Sequence, residues 1–208
     1  MELKIESEEL KGDSRLALHF FFFYSFTLLL YCHMDKSLSY PIGLPQMPSG
    51  PLSTVERTVL IQQIADLPAQ LTATARAVGG ESLLRPYRPG GWNGRQVIHH
   101  LADSHMNSYF RYRLALTENN PTVRPYDEKA WAELPDVAAT PITVSLALLE
   151  ALHTRWVLLV HHLSEAQWQR TFYHPRMNRD FTLDQALALY AWHGQHHLAH
   201  LKLLIDAD

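Results

Sequence analysis

The sequence predicts an all-α protein, a four-helix bundle with long loops between the helices. Four long segments carry apolar residues at helical spacing, and residues typical of helix starts and ends bound them. Outside them, alternation of apolar and polar residues never extends beyond a few positions, so no strand is expected. Because amphipathic helices bury their apolar faces against one another, four such segments indicate a bundle.

Capping signals set the expected helix boundaries. Ser53 with Glu56 has the form of a capping box, in which two side chains satisfy backbone donors at a helix start, and the pattern recurs at Thr182. Thr140 before a proline is typical of an N-cap and first helical position. The helices are expected at about residues 53–78, 94–116, 141–163 and 182–204. Loops are expected at residues 117–140 and 171–181, with a short helical turn at 164–167.

The composition divides the chain into three segments: a leader at residues 1–33, a proline-rich extended arm at 34–52 and a bundle domain at 53–208. Leu16 to Cys32 is mostly apolar and lies at the lower limit of length for a membrane span. The glutamates before it differ from the basic start of a signal peptide. The composition becomes ordinary from Met34, which favours a mis-assigned translation start over an apolar anchor or a signal peptide.

The overall composition excludes several classes of protein. With 208 residues, 47% apolar and 19% charged, the chain is long and apolar enough for one globular domain. A formal net charge of −3 without a basic run gives no basis for binding nucleic acid or an anionic membrane. The single cysteine excludes an internal disulfide and fits a reducing compartment.

Histidines on the last helix are the strongest chemical signal. His193 and His197 are four residues apart, so their side chains lie about 40° apart on one face, one turn along. Two imidazoles at this spacing can bind one divalent ion. His196 and His200 form a second pair of the same kind, so spacing alone leaves two candidate pairs.

A second histidine cluster lies on the helix that begins near residue 94. His100, Asn107 and Arg111 lie within a sector of about 40°. This polar stripe is either solvated surface or the lining of a cleft, with His100 as third ligand and the other two facing substrate. Asp103 is a candidate acceptor for a ligating imidazole, or a surface charge beside an arginine. His105 falls on the apolar face and is expected to pack in the core or against a loop.

Three histidines without cysteine or carboxylate describe an open metal site. Zinc in such a site keeps a fourth position for water or substrate, whereas structural zinc usually has four protein ligands. Nickel, iron or manganese also accept three imidazoles, so the ligand set does not decide the metal. We expect one divalent transition metal per chain, with zinc as the first candidate.

The chain also carries a set of long motifs: Tyr40-Pro41-Ile42-Gly43, Tyr87-Arg88-Pro89-Gly90-Gly91-Trp92, His99-His100-Leu101-Ala102-Asp103-Ser104-His105-Met106-Asn107, Trp131-Ala132-Glu133-Leu134-Pro135-Asp136, Phe172-Tyr173-His174-Pro175 and Tyr190-Ala191-Trp192-His193-Gly194-Gln195-His196-His197. In these motifs it resembles the YfiT branch of the DinB-like superfamily, over about residues 38–205. The resemblance implies an up-down-down-up bundle, a homodimer, and a metal site formed by His100, His193 and His197. His200 is then a neighbour of the site or an interface residue.

The resemblance implies a metal-dependent hydrolase in which the metal activates water for attack on a small-molecule substrate. A transferase that uses a low-molecular-weight thiol such as bacillithiol is the alternative, and a non-catalytic metal-binding stress-response module is a second one. Tyr190, one turn before His193, is a candidate proton donor or substrate contact, and His174 is a loop residue expected to reach the cleft. The family pattern starts near the arm, which favours Met34 as the start and a cytoplasmic location.

Overall fold

The structure is a computed structural model that describes residues 37–205. In chain order its elements are α1 (Thr54–Val78), a 3₁₀ turn (Ser82–Leu84), α2 (Gly94–Thr117), α3 (Glu128–Ala132), α4 (Pro135–Ala139), α5 (Ile142–His161), α6 (Glu165–Trp168), β1 (Thr171–His174), a second 3₁₀ turn (Pro175–Met177), β2 (Arg179–Thr182) and α7 (Leu183–Lys202). The predicted four-helix bundle is confirmed, with α1, α2, α5 and α7 as its long helices. The predicted leader at residues 1–33 lies outside the described residues.

The bundle is closed by two pairs of helix contacts. Helices α1 and α2 each pack against both α5 and α7. The core has two apolar clusters, one around Tyr112 and Trp156 and the other around Leu101 and Leu201. On α7 the first cluster ends at Ala191 and the second begins at Leu198. His193, His196 and His197 therefore lie between the two apolar clusters, and His200 lies beside the second one.

Local hydrogen bonds explain where the helices begin. At the start of α1, the Ser53 hydroxyl accepts a bond from the Glu56 N–H at 3.3 Å, and the Glu56 carboxylate accepts one from the Ser53 N–H at 2.7 Å. The box at Thr182 forms in the same way, and Asn93 and Ser164 head two further boxes. The prediction for Thr140 was wrong. This residue ends α4, and α5 starts after Pro141 without a side-chain cap and ends at His161.

Residues 171–181, predicted to be a loop, form most of a β-hairpin. Strands β1 and β2 pair antiparallel, with Phe172 opposite Phe181, and these two rings stack at 5.7 Å in the core. Asn178 adopts a left-handed conformation with φ of 48° after the 3₁₀ turn. Strands of four residues are too short for alternation to be recognised in a sequence, which explains the error. The predicted loop at 117–140 likewise contains two short helices, α3 and α4.

Residues 40–52 lie along α7 without helix or strand of their own. The Trp192 Nε1–H donates to the Gly43 carbonyl at 3.2 Å, and the Gln185 side chain donates to the Pro48 carbonyl at 3.2 Å. These bonds hold the arm against the helix that carries the histidines. Arm and α7 therefore form one surface.

Helix α5 is, among the described residues, the one helix long and apolar enough to cross a membrane, judged by length and composition alone. Its inner face packs into the bundle, where Trp156 is fully buried. Its outer face exposes Val144, Leu148 and Leu158. The inner face of this helix therefore belongs to the core of the bundle.

A buried ion pair joins α1 to the start of α7. Asp184 is fully buried, and its carboxylate accepts bonds from the Arg57 guanidinium at 2.7 and 3.0 Å, from the Leu52 N–H at 3.1 Å and from the Gln169 side chain at 2.8 Å. Arg57 is itself 4% exposed and also binds Glu165. This carboxylate therefore holds the arm, α1, α7 and the segment before the hairpin together.

We predict that Arg57→Leu lowers the free energy of unfolding by about 3–5 kcal/mol, because it leaves the Asp184 carboxylate buried without its counter-ion. Urea denaturation followed by circular dichroism measures the change. Arg176→Leu is the matched control, since Arg176 pairs with Glu128 at 2.7 Å on the surface and such pairs contribute about 0–1 kcal/mol. Equal losses in the two variants would contradict the role given to the buried pair.

Candidate metal centre

Three predicted ligands come together between α2 and α7. His100 projects from α2, and His193 and His197 project from α7. Each offers a ring nitrogen, and these nitrogens lie within 4.8 Å of one another. Nε2 of His100 is 3.2 Å from Nε2 of His193. The three residues predicted from spacing and resemblance therefore form one cluster that could hold a metal ion.

The separation of the nitrogens fits a metal ion. A tetrahedral zinc with Zn–N bonds of about 2.0–2.1 Å places two ligand nitrogens about 3.3–3.4 Å apart. The 3.2 Å between the Nε2 atoms of His100 and His193 is close to that value. Without an ion between them, two bare nitrogens would repel, so one would have to carry a proton toward the other.

The three imidazoles are held in their neutral form. Burial lowers the pKa of His100 to about 4, and burial lowers the pKa values of His193 and His197 well below their ordinary range. A metal binds the neutral imidazole, so ligands that stay unprotonated at neutral pH need not release a proton first. Burial thus prepares the cluster for a cation.

A close contact between helices fixes the position of the two ligands on α7. Gly194 lies against Leu67 of α1, and a Cβ at that position would be 2.4 Å from the Leu67 Cδ2. Leu67 is 1% exposed, so its side chain has little room to move. A glycine directly after His193 therefore allows α7 to approach α1 more closely than any larger residue would.

A second cluster shares one of these ligands. His196, His197 and His200 also offer nitrogens within 4.8 Å of one another, and Nδ1 of His200 lies 3.3 Å from Nδ1 of His197. A neutral imidazole has one lone pair, so His197 can serve only one of the two clusters at a time. Burial lowers the pKa of His196 to about 4, and its Nδ1 is buried without a hydrogen-bond partner. His200 therefore lies beside the first cluster, next to His197.

Aromatic rings cover the histidines. Trp92 lies over His100 at 4.7 Å between ring centroids and stacks on His197 at 6.3 Å. Tyr87 stacks on His200 at 3.9 Å. Both aromatics belong to the Tyr87-Arg88-Pro89-Gly90-Gly91-Trp92 motif, and neither was predicted to lie at the site. Their position predicts that they exclude water from one side of the cluster.

Arg111 and Tyr190, two of the predicted site residues, lie together near His193. The Arg111 guanidinium donates to the Tyr190 hydroxyl at 3.0 Å, and both side chains are buried. The Tyr190 ring is 5.8 Å from the His193 ring. Tyr126, from the loop before α3, contributes a further phenol, and burial raises its pKa to about 12 against the effect of its hydrogen bond with Ser104. Sequence reasoning missed Tyr126.

The hydrogen bonds of His174 and Asn107 are with groups other than the three ligands. His174 accepts a bond from the Met177 N–H at 3.4 Å, and its pKa is lowered by burial and by the nearby Arg111. The Asn107 side chain donates to the Asp103 carbonyl at 2.9 Å. Burial and then Asp136 raise the pKa of Asp103 to about 6, and no hydrogen bond in the described part of the chain joins its carboxylate to His100. His200, and not Asp103, is the side chain found next to a candidate ligand, His197.

Comparison with known proteins identifies the family. The family model described as the DinB superfamily matches residues 63–201. The chain belongs to the DinB superfamily. Among relatives of this DinB protein is one from Bacillus subtilis (strain 168), named "Putative metal-dependent hydrolase YfiT", which is 48% identical over 168 residues, or 81% of this chain and 94% of the relative. A relative from Bacillus mycoides (strain KBAB4), also named as a metal-dependent hydrolase of that kind, is 46% identical over 172 residues, 81% of this chain and 96% of its own.

Solved structures support the same fold. The chain aligns with the structure of YfiT from Bacillus subtilis with a TM-score of 0.78 and 48% identity, over 81% of this chain and 95% of the other. That structure is described as a probable metal-dependent hydrolase with an unusual four-helix bundle topology. A mycothiol-dependent maleylpyruvate isomerase aligns with a TM-score of 0.55 and 20% identity, over 72% of this chain and 61% of the other. That second likeness shows the fold alone.

The metal-free DinB protein is predicted to lose stability as the pH falls from about 6.5 to about 4. Burial lowers the pKa of His153, which is 1% exposed, to about 4 from an ordinary value near 6.5. The unfolded chain therefore binds the proton first, so the stabilisation is complete above about 6.5 and is lost on acidification, by about 3 kcal/mol for this residue. Urea denaturation at several pH values measures the loss.

His153→Gln tests this assignment, because it removes the buried titrating group and should make the pH dependence shallower. His162→Gln is the matched control, since His162 is an exposed histidine one residue beyond the end of the same helix. An unchanged slope in His153→Gln would contradict the prediction.

Proposed function

We propose that this protein is a metal-dependent hydrolase that acts on a small molecule. One divalent transition metal per chain is bound by His100, His193 and His197. The observation that carries the proposal is the convergence of three imidazoles, two of them buried and that of His193 half-buried, with two nitrogens 3.2 Å apart. Zinc is the first candidate, and nickel, iron and manganese also accept three imidazoles.

The metal supplies Lewis acidity when bound, which makes water or a thiol nucleophilic at neutral pH. Three protein ligands leave a coordination position open for that chemistry. The chain's own residues exclude water, since Trp92 covers one side of the cluster and Tyr126 lies on the side of Arg111. A site of this kind strengthens every electrostatic interaction within it.

Arg111 and Tyr190 orient the substrate. The Arg111 guanidinium is 9% exposed, and no carboxylate of the described residues lies within ion-pair distance of it. A buried cation paired only with a phenol is suited to bind an anionic group of a ligand. By donating to the Tyr190 oxygen, Arg111 leaves the Tyr190 hydroxyl hydrogen free to be given to a leaving group. Asn107 and His174 are proposed as further contacts around this pair.

A thiol is the alternative nucleophile. Arg111 supports this alternative because a guanidinium binds carboxylates, and it would bind the carboxylates of a carrier thiol such as bacillithiol. A hydrolase turns over its substrate in water alone, whereas a transferase requires the added thiol. A non-catalytic metal-binding module would bind the metal without a rate above that of the free ion. Assays with and without a low-molecular-weight thiol separate the three.

The proposal includes a homodimer, supported by the resemblance and by the exposed apolar residues Val144, Leu148 and Leu158 on α5. It also includes a cytoplasmic location, which the resemblance supports. Light scattering of the purified protein at micromolar concentration tests the dimer. Intact mass of the natural protein tests whether translation starts at Met34.

The metal content of the full chain is predicted to be about one transition metal ion per chain, measured by plasma mass spectrometry. Each of His100→Ala, His193→Ala and His197→Ala should lose the metal while helicity persists, because two imidazoles bind a divalent ion far more weakly than three. His196→Ala is the control, since His196 belongs only to the second cluster. Metal retained in His100→Ala and His193→Ala but lost in His196→Ala and His197→Ala would assign the ion to the second cluster instead, because His197 belongs to both clusters.

Tyr190→Phe is predicted to keep its metal but to lower turnover of alkyl esters by about 10²-fold or more, because their alkoxide leaving group needs the proton donor that is removed. Tyr109→Phe is the matched control. The Tyr109 hydroxyl also accepts a bond from an arginine, Arg113, at 3.2 Å, but without contact to the proposed ligands. Equal turnover in the two variants would rule out the role given to Tyr190.

A further inference from the structure

A line of hydrogen bonds runs from the proposed ligand His193 through the core to the far side of the bundle. Nδ1 of His193 lies 3.2 Å from Nε2 of His105, and Nδ1 of His105 lies 2.9 Å from Nε2 of His153. Nδ1 of His153 lies 2.6 Å from the carbonyl oxygen of Ile64. The four residues come from α7, α2, α5 and α1, so each of the four long helices contributes one member.

The line ends on a group that can only accept. A carbonyl has no hydrogen to give, so Nδ1 of His153 must carry the proton. The Ile64 carbonyl is available because the residue four positions later is Pro68, which lies inside α1 and has no N–H to donate to it. The proline therefore frees this carbonyl from the helix, and His153 uses it.

The proton on Nδ1 of His153 determines which nitrogens of His105 and His193 are protonated. With Nδ1 of His153 protonated, its Nε2 is bare and accepts the Nδ1–H of His105. Nε2 of His105 is then bare in turn and accepts the Nδ1–H of His193. Three neutral imidazoles carry three ring protons, and the three contacts use all of them. The nitrogen left without a proton is Nε2 of His193, which faces Nε2 of His100 at 3.2 Å.

The opposite polarity would require a charge in the core. If Nε2 of His153 donated to His105, His153 would carry protons on both nitrogens, because Nδ1 must still donate to the carbonyl. His153 is 1% exposed and His105 is fully buried, so an imidazolium there would be desolvated without a counter-ion. Geometry and burial thus agree on one direction.

We propose that the Ile64 carbonyl, acting through His153 and His105, fixes the tautomer and orientation of His193 so that its bare Nε2 points at the metal. His105 and His153 are positioning residues, since neither touches the ion or the substrate. This inference rests on the proposed metal site and deepens it. It assigns a role to two core histidines that spacing and resemblance left without one.

Long-range proton–nitrogen correlation spectra of the metal-free protein at neutral pH test the proton positions directly. We expect His105, His153 and His193 each to carry the proton on Nδ1 and to have a bare Nε2. A proton on Nε2 of His193 would overturn the proposal. This measurement needs neither metal nor substrate, so it decides the hydrogen-bond line even if the site binds no ion.

Zinc affinity, measured by competition with a chelator, tests the consequence. His105→Leu and His153→Leu should each bind zinc about 10–100-fold more weakly, because His193 loses the acceptor that fixes its ring. His105→Gln should bind close to the wild type, since its amide offers an oxygen acceptor to His193 and an N–H donor to His153. His162→Leu is the matched control, because Nδ1 of His162 also binds a backbone carbonyl, that of Leu158, at the surface.

The outcomes separate the two proposals. A wild type that binds no zinc would remove the proposed metal site, while the spectra would still decide the proton positions. Zinc bound equally by His105→Leu and His162→Leu would overturn the positioning role and leave the metal site intact. If the leucine variants fail to fold, the wild-type spectra and the comparison of His105→Gln with wild type decide the matter.

Discussion

A set of buried imidazoles constrains how the helices of this bundle pack together. A polar group taken out of water without a partner costs about 1–3 kcal/mol, so each ring nitrogen in the core needs a donor, an acceptor or a cation. His105 and His153 meet this requirement only through one another, His193 and a main-chain oxygen. Apolar side chains would tolerate small shifts between helices. Hydrogen bonds between rings do not, so the line from α1 to α7 fixes how the four helices align.

Local chemistry explains what could be predicted from the sequence. Capping boxes act within three residues, so Ser53 and Thr182 marked helix starts correctly. The four-residue spacing of His193 and His197 also acts within one turn, and the two side chains do lie in one cluster with His100. The hairpin was missed because its strands are short and its stability comes from burying Phe172 and Phe181 against the bundle, which no local pattern reveals.

Contacts between helices explain what could not be predicted. Helical periodicity showed that His105 lies on an apolar face, but not that it meets His153 from another helix. Nor could spacing decide between the two histidine pairs on α7. Each pair belongs to a group of three histidines that could hold a metal ion, and the two groups share His197. A histidine on an otherwise apolar helix such as α5 was the available signal for His153. The role of His153 becomes clear only from its contacts with His105 and the Ile64 carbonyl.

Pro68 has a consequence for attempts to make this protein more robust. A proline in the middle of a long helix is an obvious target for replacement by alanine, because alanine restores a helical hydrogen bond and favours the helix. Here the restored N–H would compete with His153 for the Ile64 carbonyl. A variant selected for heat resistance at this position would therefore gain a helical hydrogen bond in α1 and weaken the contact that orders the core histidines. Pro68 in α1 thus helps to position His193, a proposed metal ligand on α7.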